Sequence, residues 1–156
     1  MTLRKCLFLL LLPILLSCDD GHMFKDANKA FPQFRWPQAQ EVTFTPEITE
    51  EGQNYRVTLH FRHVHGFQFA ELPIKATITT PSGAVSEHAY TIAVMDGRGD
   101  YLASCALDIC DLEAVIETEM AFPEKGTYTI TLIQNTPVDP LPNVMEVGMV
   151  IDPSAN

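Results

Sequence analysis

The chain has 156 residues, with ten Lys and Arg against twenty Asp and Glu and a formal net charge of −10. So acidic a surface is repelled by phosphate backbones and anionic head groups, which excludes nucleic acid as a partner. The length fits one domain, and a 46% hydrophobic content is enough to give it a core.

Arg4 and Lys5 precede an apolar run from Cys6 to Leu16 that is interrupted only by Pro13. Eleven residues at about 1.5 Å rise cannot cross roughly 30 Å of hydrocarbon, so the run reads as the core of a signal peptide. It closes on Leu15-Leu16-Ser17-Cys18, a small residue directly before a cysteine, which is the pattern of a lipoprotein cleavage site. Residues 1–17 are then the signal peptide, cleavage falls between Ser17 and Cys18, and Cys18 carries the lipid. Each buried CH₂ contributes about 0.8 kcal/mol, so two or three acyl chains anchor stably where one is marginal. Removing residues 1–17 takes away two cations and leaves 8 Lys and Arg against 20 Asp and Glu, a net charge of −12. Membrane contact is therefore assigned to the lipid on Cys18. Residues 19–30 show no clean period, and residues 18–34 read as a tether.

The folded domain is expected over residues 35–153. Trp36, the only tryptophan, lies in an extended proline-containing stretch and is expected to pack inward, with a sugar-stacking platform as the alternative. Val42, Phe44 and Ile48 share parity, and Pro46 suggests an edge or a bulge. From Tyr55 to Arg62 apolar and polar residues alternate without a fault, as on a half-buried strand. Leu72 to Thr79 alternates again and turns at Pro81-Ser82-Gly83. Tyr90, Ile92 and Val94 form an inward row, and Asp96-Gly97-Arg98-Gly99-Asp100 is a hairpin turn into Tyr101-Leu102-Ala103. Asp108 to Glu113 reads as an acidic loop. Beyond it Ala114, Ile116, Met120 and Phe122 point inward, with Glu113, Glu117 and Glu119 on a solvated face. Tyr128, Ile130 and Leu132 form a further row, residues 135–143 a proline-rich loop, and Met145–Ile151 a mostly buried last strand. The pattern predicts an all-β chain: a single antiparallel β-sandwich of jelly-roll or immunoglobulin-like layout.

Of four cysteines, Cys6 leaves with the signal and Cys18 is lipidated. Cys105 and Cys110 remain, either as a disulfide or as two inert thiols, since a metal knuckle needs two more ligands at matching spacing. His63 and His65 form an H-x-H pair, with His60 on the opposite side of the strand. A metal would need a further ligand that the spacing does not supply, so no metal is expected. Asp96 and Asp100 lack the alternating acidic pattern of a calcium loop. Arg98-Gly99-Asp100 spells an adhesion tripeptide, but a turn before a strand calls for Gly and Asp here in any case. No nucleophile elbow, H-E-x-x-H helix or phosphate-binding glycine loop is present. The chain is accordingly expected to be no enzyme and to need no cofactor, and the sequence names no small-molecule ligand.

Distributed residues carry a resemblance to a known family. They are the lipobox, Trp36 before the first strand, Tyr55 leading to Arg62-His63, then Phe67, Phe69 and Leu72. Thr80-Pro81-Ser82-Gly83, Asp96 to Tyr101, Phe122, Gly126-Thr127-Tyr128, Gln134 and Val147-Gly148 follow. In this order the chain resembles the gliding motility-associated lipoprotein GldH family of Bacteroidetes. It departs at Ala103-Ser104-Cys105-Ala106, where the family tends to glycine, and at Asn135-Thr136-Pro137, where a Met-Arg pair is common. The resemblance implies an outer-membrane lipoprotein associated with gliding motility, in lineages that link gliding to type IX secretion. Its partners would be envelope or gliding-machinery proteins. A surface carbohydrate-binding or adhesion-type sandwich is the alternative.

Overall fold

The computed structural model describes residues 21–155. Ser17 and Cys18, and with them the cleavage and lipidation sites, lie outside the described residues.

Thirteen strands and one 3-10 turn make up the regular structure described. They are β1 (Phe24–Ala30), β2 (Arg35–Trp36), β3 (Val42–Phe44), β4 (Glu47–Ile48), β5 (Asn54–Val64), β6 (Glu71–Thr79), β7 (Val85–Ala93), β8 (Ser104–Ala106), β9 (Ile109–Ala121), β10 (Gly126–Thr127), β11 (Thr129–Gln134), β12 (Leu141–Pro142) and β13 (Val144–Pro153). A five-stranded antiparallel sheet, ordered β1-β13-β5-β9-β8, packs on a four-stranded antiparallel sheet, ordered β3-β11-β6-β7. The short pairs β10-β4 and β12-β2 close its corners. The chain is an all-β sandwich, and no described helix is long and apolar enough to cross a membrane.

Alternation explains the core. Tyr55, Val57, Leu59 and Phe61 of β5 face Ile74, Ala76 and Ile78 of β6 and Ile130 and Leu132 of β11 across the sandwich, all buried. Burial of each Val, Leu, Ile or Phe side chain among them contributes about 1.5–3 kcal/mol. Pro46 interrupts the edge between β3 and β4, where a missing N–H costs no ladder bond.

The structure corrects several readings of the sequence. Phe24–Ala30, read as tether, is a strand paired with β13 from Phe24–Ile151 to Ala30–Glu146. Its own residues have weak strand preference, and the buried β13 beside it supplies the pairing. Asp108 to Glu113, read as a loop, is mostly the start of the 13-residue β9. There the buried Cys110 and Leu112 are the inward residues, alternating with the exposed Asp111 and Glu113. Tyr101-Leu102-Ala103 is no strand, and only Tyr101 bridges, to Met95.

Antiparallel register gives the sandwich two distinct ends. Phe24, Tyr55, Ala121 and Pro153 meet at one end, where the described chain both enters and leaves. His22 ties this end with a 2.9 Å contact from its Nδ1 to Asp152. Ala30, Val64, Ile109 and Val144 mark the other end, roughly 35 Å away along the eleven residues of β5. We call these ends the base and the crown.

Candidate functional site

β9 does not follow β5 evenly. The partner of Thr58 is Val115, that of Val57 is Glu117, and that of Tyr55 is Met120, so β9 carries extra residues at two bulges. Cross-strand partners share a face, so the first bulge turns Glu117 from the solvated face to the inner one. This corrects the expectation for Glu117. Its Oε1 accepts a 2.9 Å hydrogen bond from the Tyr90 hydroxyl of β7, and the bond closes one open side of the sandwich. Burial, with the carboxylate beside it, pushes the Tyr90 phenol well above its ordinary range. The His88 ring stacks parallel to Tyr90 at 6.1 Å and 7°.

Below this bond, towards the base, the two sheets part into a largely apolar groove of about 390 Å³. Ile78, Val85 and His88 form one wall, Met120 and Phe122 the other, and Glu117 the upper end. The Tyr128 ring packs edge-on against Phe122 at 4.8 Å, and its hydroxyl caps the turn by bonding both the N–H and the C=O of Glu124. Glu124 in turn holds Ser82, whose hydroxyl and N–H keep the carboxyl below the usual carboxylate range. The groove floor is therefore a fixed surface.

At the crown, His63 is fully buried among the rings of Phe61, Phe67 and Tyr101, with centroids 4.9–5.4 Å away. His65, two residues on, is exposed and meets the Tyr101 ring edge-on at 5.4 Å. Both histidines of the H-x-H pair thus contact one phenol ring. Among the described residues no group of three or more His, Cys, Asp and Glu side chains is placed to hold a metal. The His63 Nδ1 lies 3.1 Å from the Val64 carbonyl and must donate to it, which leaves Nε2 as a buried acceptor without a partner. Burial pushes the His63 pKa down, against the Val64 bond, with a smaller downward push from His65. The native state therefore resists a proton that the unfolded chain takes up below about pH 6.5. Stability is expected to be complete above that pH and to fall as the pH drops below it. Unfolding titrations between pH 7 and pH 5 should show the slope in the wild type and a flatter one in His63→Leu.

Cys105 and Cys110 face each other across β8 and β9 and are joined by a disulfide. They clamp a hairpin whose tip residue, Leu107, is 97% exposed at φ +56°. Beside it Arg62 grips Asp111 through Nε at 2.6 Å and Glu146 through Nη1 at 3.2 Å, tying β5, β9 and β13 together. The Asp96 carboxylate accepts the N–H groups of Asp100 and Arg98 at 3.0 and 2.8 Å, which holds it below the usual carboxylate range. Its lone pairs thus serve the turn's own backbone. Trp36 is completely buried and offers no platform to a sugar.

The bulged Glu117 and the groove were missed in the sequence because the bulges reset parity without any local signal. The comparisons cover the same body. Curated proteins and solved structures return no match. The family model described as GldH lipoprotein matches residues 23–151, from the residue before β1 to near the end of β13. The chain belongs to the GldH lipoprotein family.

Proposed function

We propose that this protein is a non-enzymatic accessory of gliding motility, held in the outer membrane by lipid on Cys18 and acting by protein–protein contact. The family match carries the reading, since it spans nearly the whole folded body. The fold supports it in two ways. The described chain enters at the base, so a lipid on Cys18 tethers that end and leaves the crown and the sides of the sandwich to partners. The acidic body keeps itself off anionic head groups. Confinement to the membrane plane raises the effective concentration of a partner in the same membrane without any new contact. The link to type IX secretion belongs to this proposal.

Replacing the attachment residue tests it. Cys18→Ala is expected to lose the lipid label, to leave the membrane fraction and to abolish spreading of gliding colonies, while the domain keeps its melting temperature. Membrane retention by the variant, together with an unlabelled wild type, would defeat the lipid-anchor reading.

A further inference from the structure

Most of the sandwich's strand edges are defended against a further strand. β1 has a register break between Asp26 and Lys29. β3 has three residues and runs into Pro46, and β8 has three. The rest of β9 is bulged twice and exposes Glu113 and Glu119. β7 has neither a bulge nor a short length to defend it, and its one charged residue is Glu87. Nine consecutive residues pair with β6 from Thr79–Val85 to Glu71–Ala93 without a shift, and β7 carries no proline, lysine or arginine. Among the described residues β6 is its only strand partner.

The phase of its hydrogen bonds follows from the two ends of the hairpin. Thr80 N–H donates to the Ala84 carbonyl at 2.8 Å, and Val94 N–H to the Ala70 carbonyl at 2.8 Å. Antiparallel ladders alternate, so even-numbered β7 residues bond to β6. The N–H and C=O groups of Val85, Glu87, Ala89, Thr91 and Ala93 then lie on the free edge. Pro73, which has no N–H to give, sits opposite Thr91, one of these free-edge positions.

We propose that the free edge of β7, with the groove beneath it, takes up an extended segment of a partner envelope protein in which apolar residues alternate with lysine or arginine. The inference deepens the protein-contact reading and rests on it. A strand added to β7 continues the four-stranded sheet, and its inward side chains fall into the apolar groove against Met120 and Phe122. Charge selects the partner. Glu87 stands on the edge, Glu117 at the groove's end and Glu119 on the facing strand, and no lysine or arginine lines the groove. A second copy of this acidic chain is a poor occupant for the same reason.

The test places a photo-crosslinking benzoylphenylalanine at Thr91 of the full-length chain in its native cells, with Thr43 on β3 as the control position. Sequencing of the crosslinked peptide is expected to show an extended segment alternating apolar and basic residues, reached from Thr91 and not from Thr43. Ala89→Pro removes one free-edge donor without touching the β6 ladder. It should cut the adduct about tenfold at an unchanged melting temperature. Glu87→Lys should weaken it through charge alone, and it carries the test if the proline variant unfolds. The proposal is overturned by an adduct to β7 of a second copy, by one to an acidic or helical segment, by one that survives both substitutions, or by none at all. If Thr91 yields no adduct while the full-length protein still recovers envelope partners from membranes, only the assignment of β7 fails.

Discussion

Trp36→Ala is expected to lower the unfolding free energy by about 3–5 kcal/mol, within the usual range for removing a fully buried aromatic. The indole stacks on Phe31 at 5.0 Å and 27°, and its Nε1–H donates to the Gln40 carbonyl at 2.9 Å. Its backbone pairs with Leu141, so one side chain pins the β2–β12 corner of the crown. The substitution opens a cavity and strands the Gln40 acceptor together. Against a typical total of about 5–15 kcal/mol, that loss populates the unfolded chain measurably. Denaturant unfolding should show a lower midpoint at an unchanged slope. Trp36→Phe retains the ring contact and loses the hydrogen bond, and should cost about 1–2 kcal/mol. If Trp36→Ala left the midpoint where it was, the buried position of the ring would be wrong, and a surface role for it would return.

The second large effect is expected at Gln134. This side chain is buried and uses both of its ends. Its Oε1 accepts the Thr136 N–H at 2.8 Å and the Thr136 hydroxyl at 2.6 Å. Its Nε2 donates to the carbonyls of Trp36 and Val138, both at 3.3 Å. This amide thus fastens the start of the loop over residues 135–143 to the body, beside the β12–β2 pairing. Gln134→Leu fills similar volume but leaves several buried backbone groups unpaired, and should cost about 2–3 kcal/mol. The Thr136 amide should exchange with solvent faster in the variant, before global unfolding. Trp36 and Gln134 share the Trp36 carbonyl, so the double variant should depart from additivity by about 0.5 kcal/mol or more.

Strands with strict alternation could be read directly from the sequence. Tyr55 to Phe61 and Tyr128 to Leu132 each bury one face and expose the other, and period 2 records that fact. Even the inward direction of His63 follows from its odd position on β5. Other features depend on partners rather than on local pattern. β1 has no apolar row of its own and exists because β13 offers it an edge. The start of β9 hid its two buried residues, Cys110 and Leu112, among acids. Glu117 faces inward only because of a bulge, and a bulge leaves no mark in composition. The groove collects residues from β6, β7, β9 and the turn after β9, distant in sequence, and the freedom of the β7 edge depends on strand order. The distributed family residues were legible because many are structural: Trp36, Phe67, Tyr128 and Gln134 are all buried.

Tethering and partner contact are the core of the proposed function, and crosslinking of the full-length protein in native membranes followed by its affinity isolation tests them most directly. The wild-type chain is expected to bring down gliding or other envelope proteins, and Cys18→Ala, folded but released from the membrane, to lose them. Recovery of the wild-type chain alone, or of the same proteins with Cys18→Ala, would contradict the proposal that lipid placement delivers this sandwich to its partners.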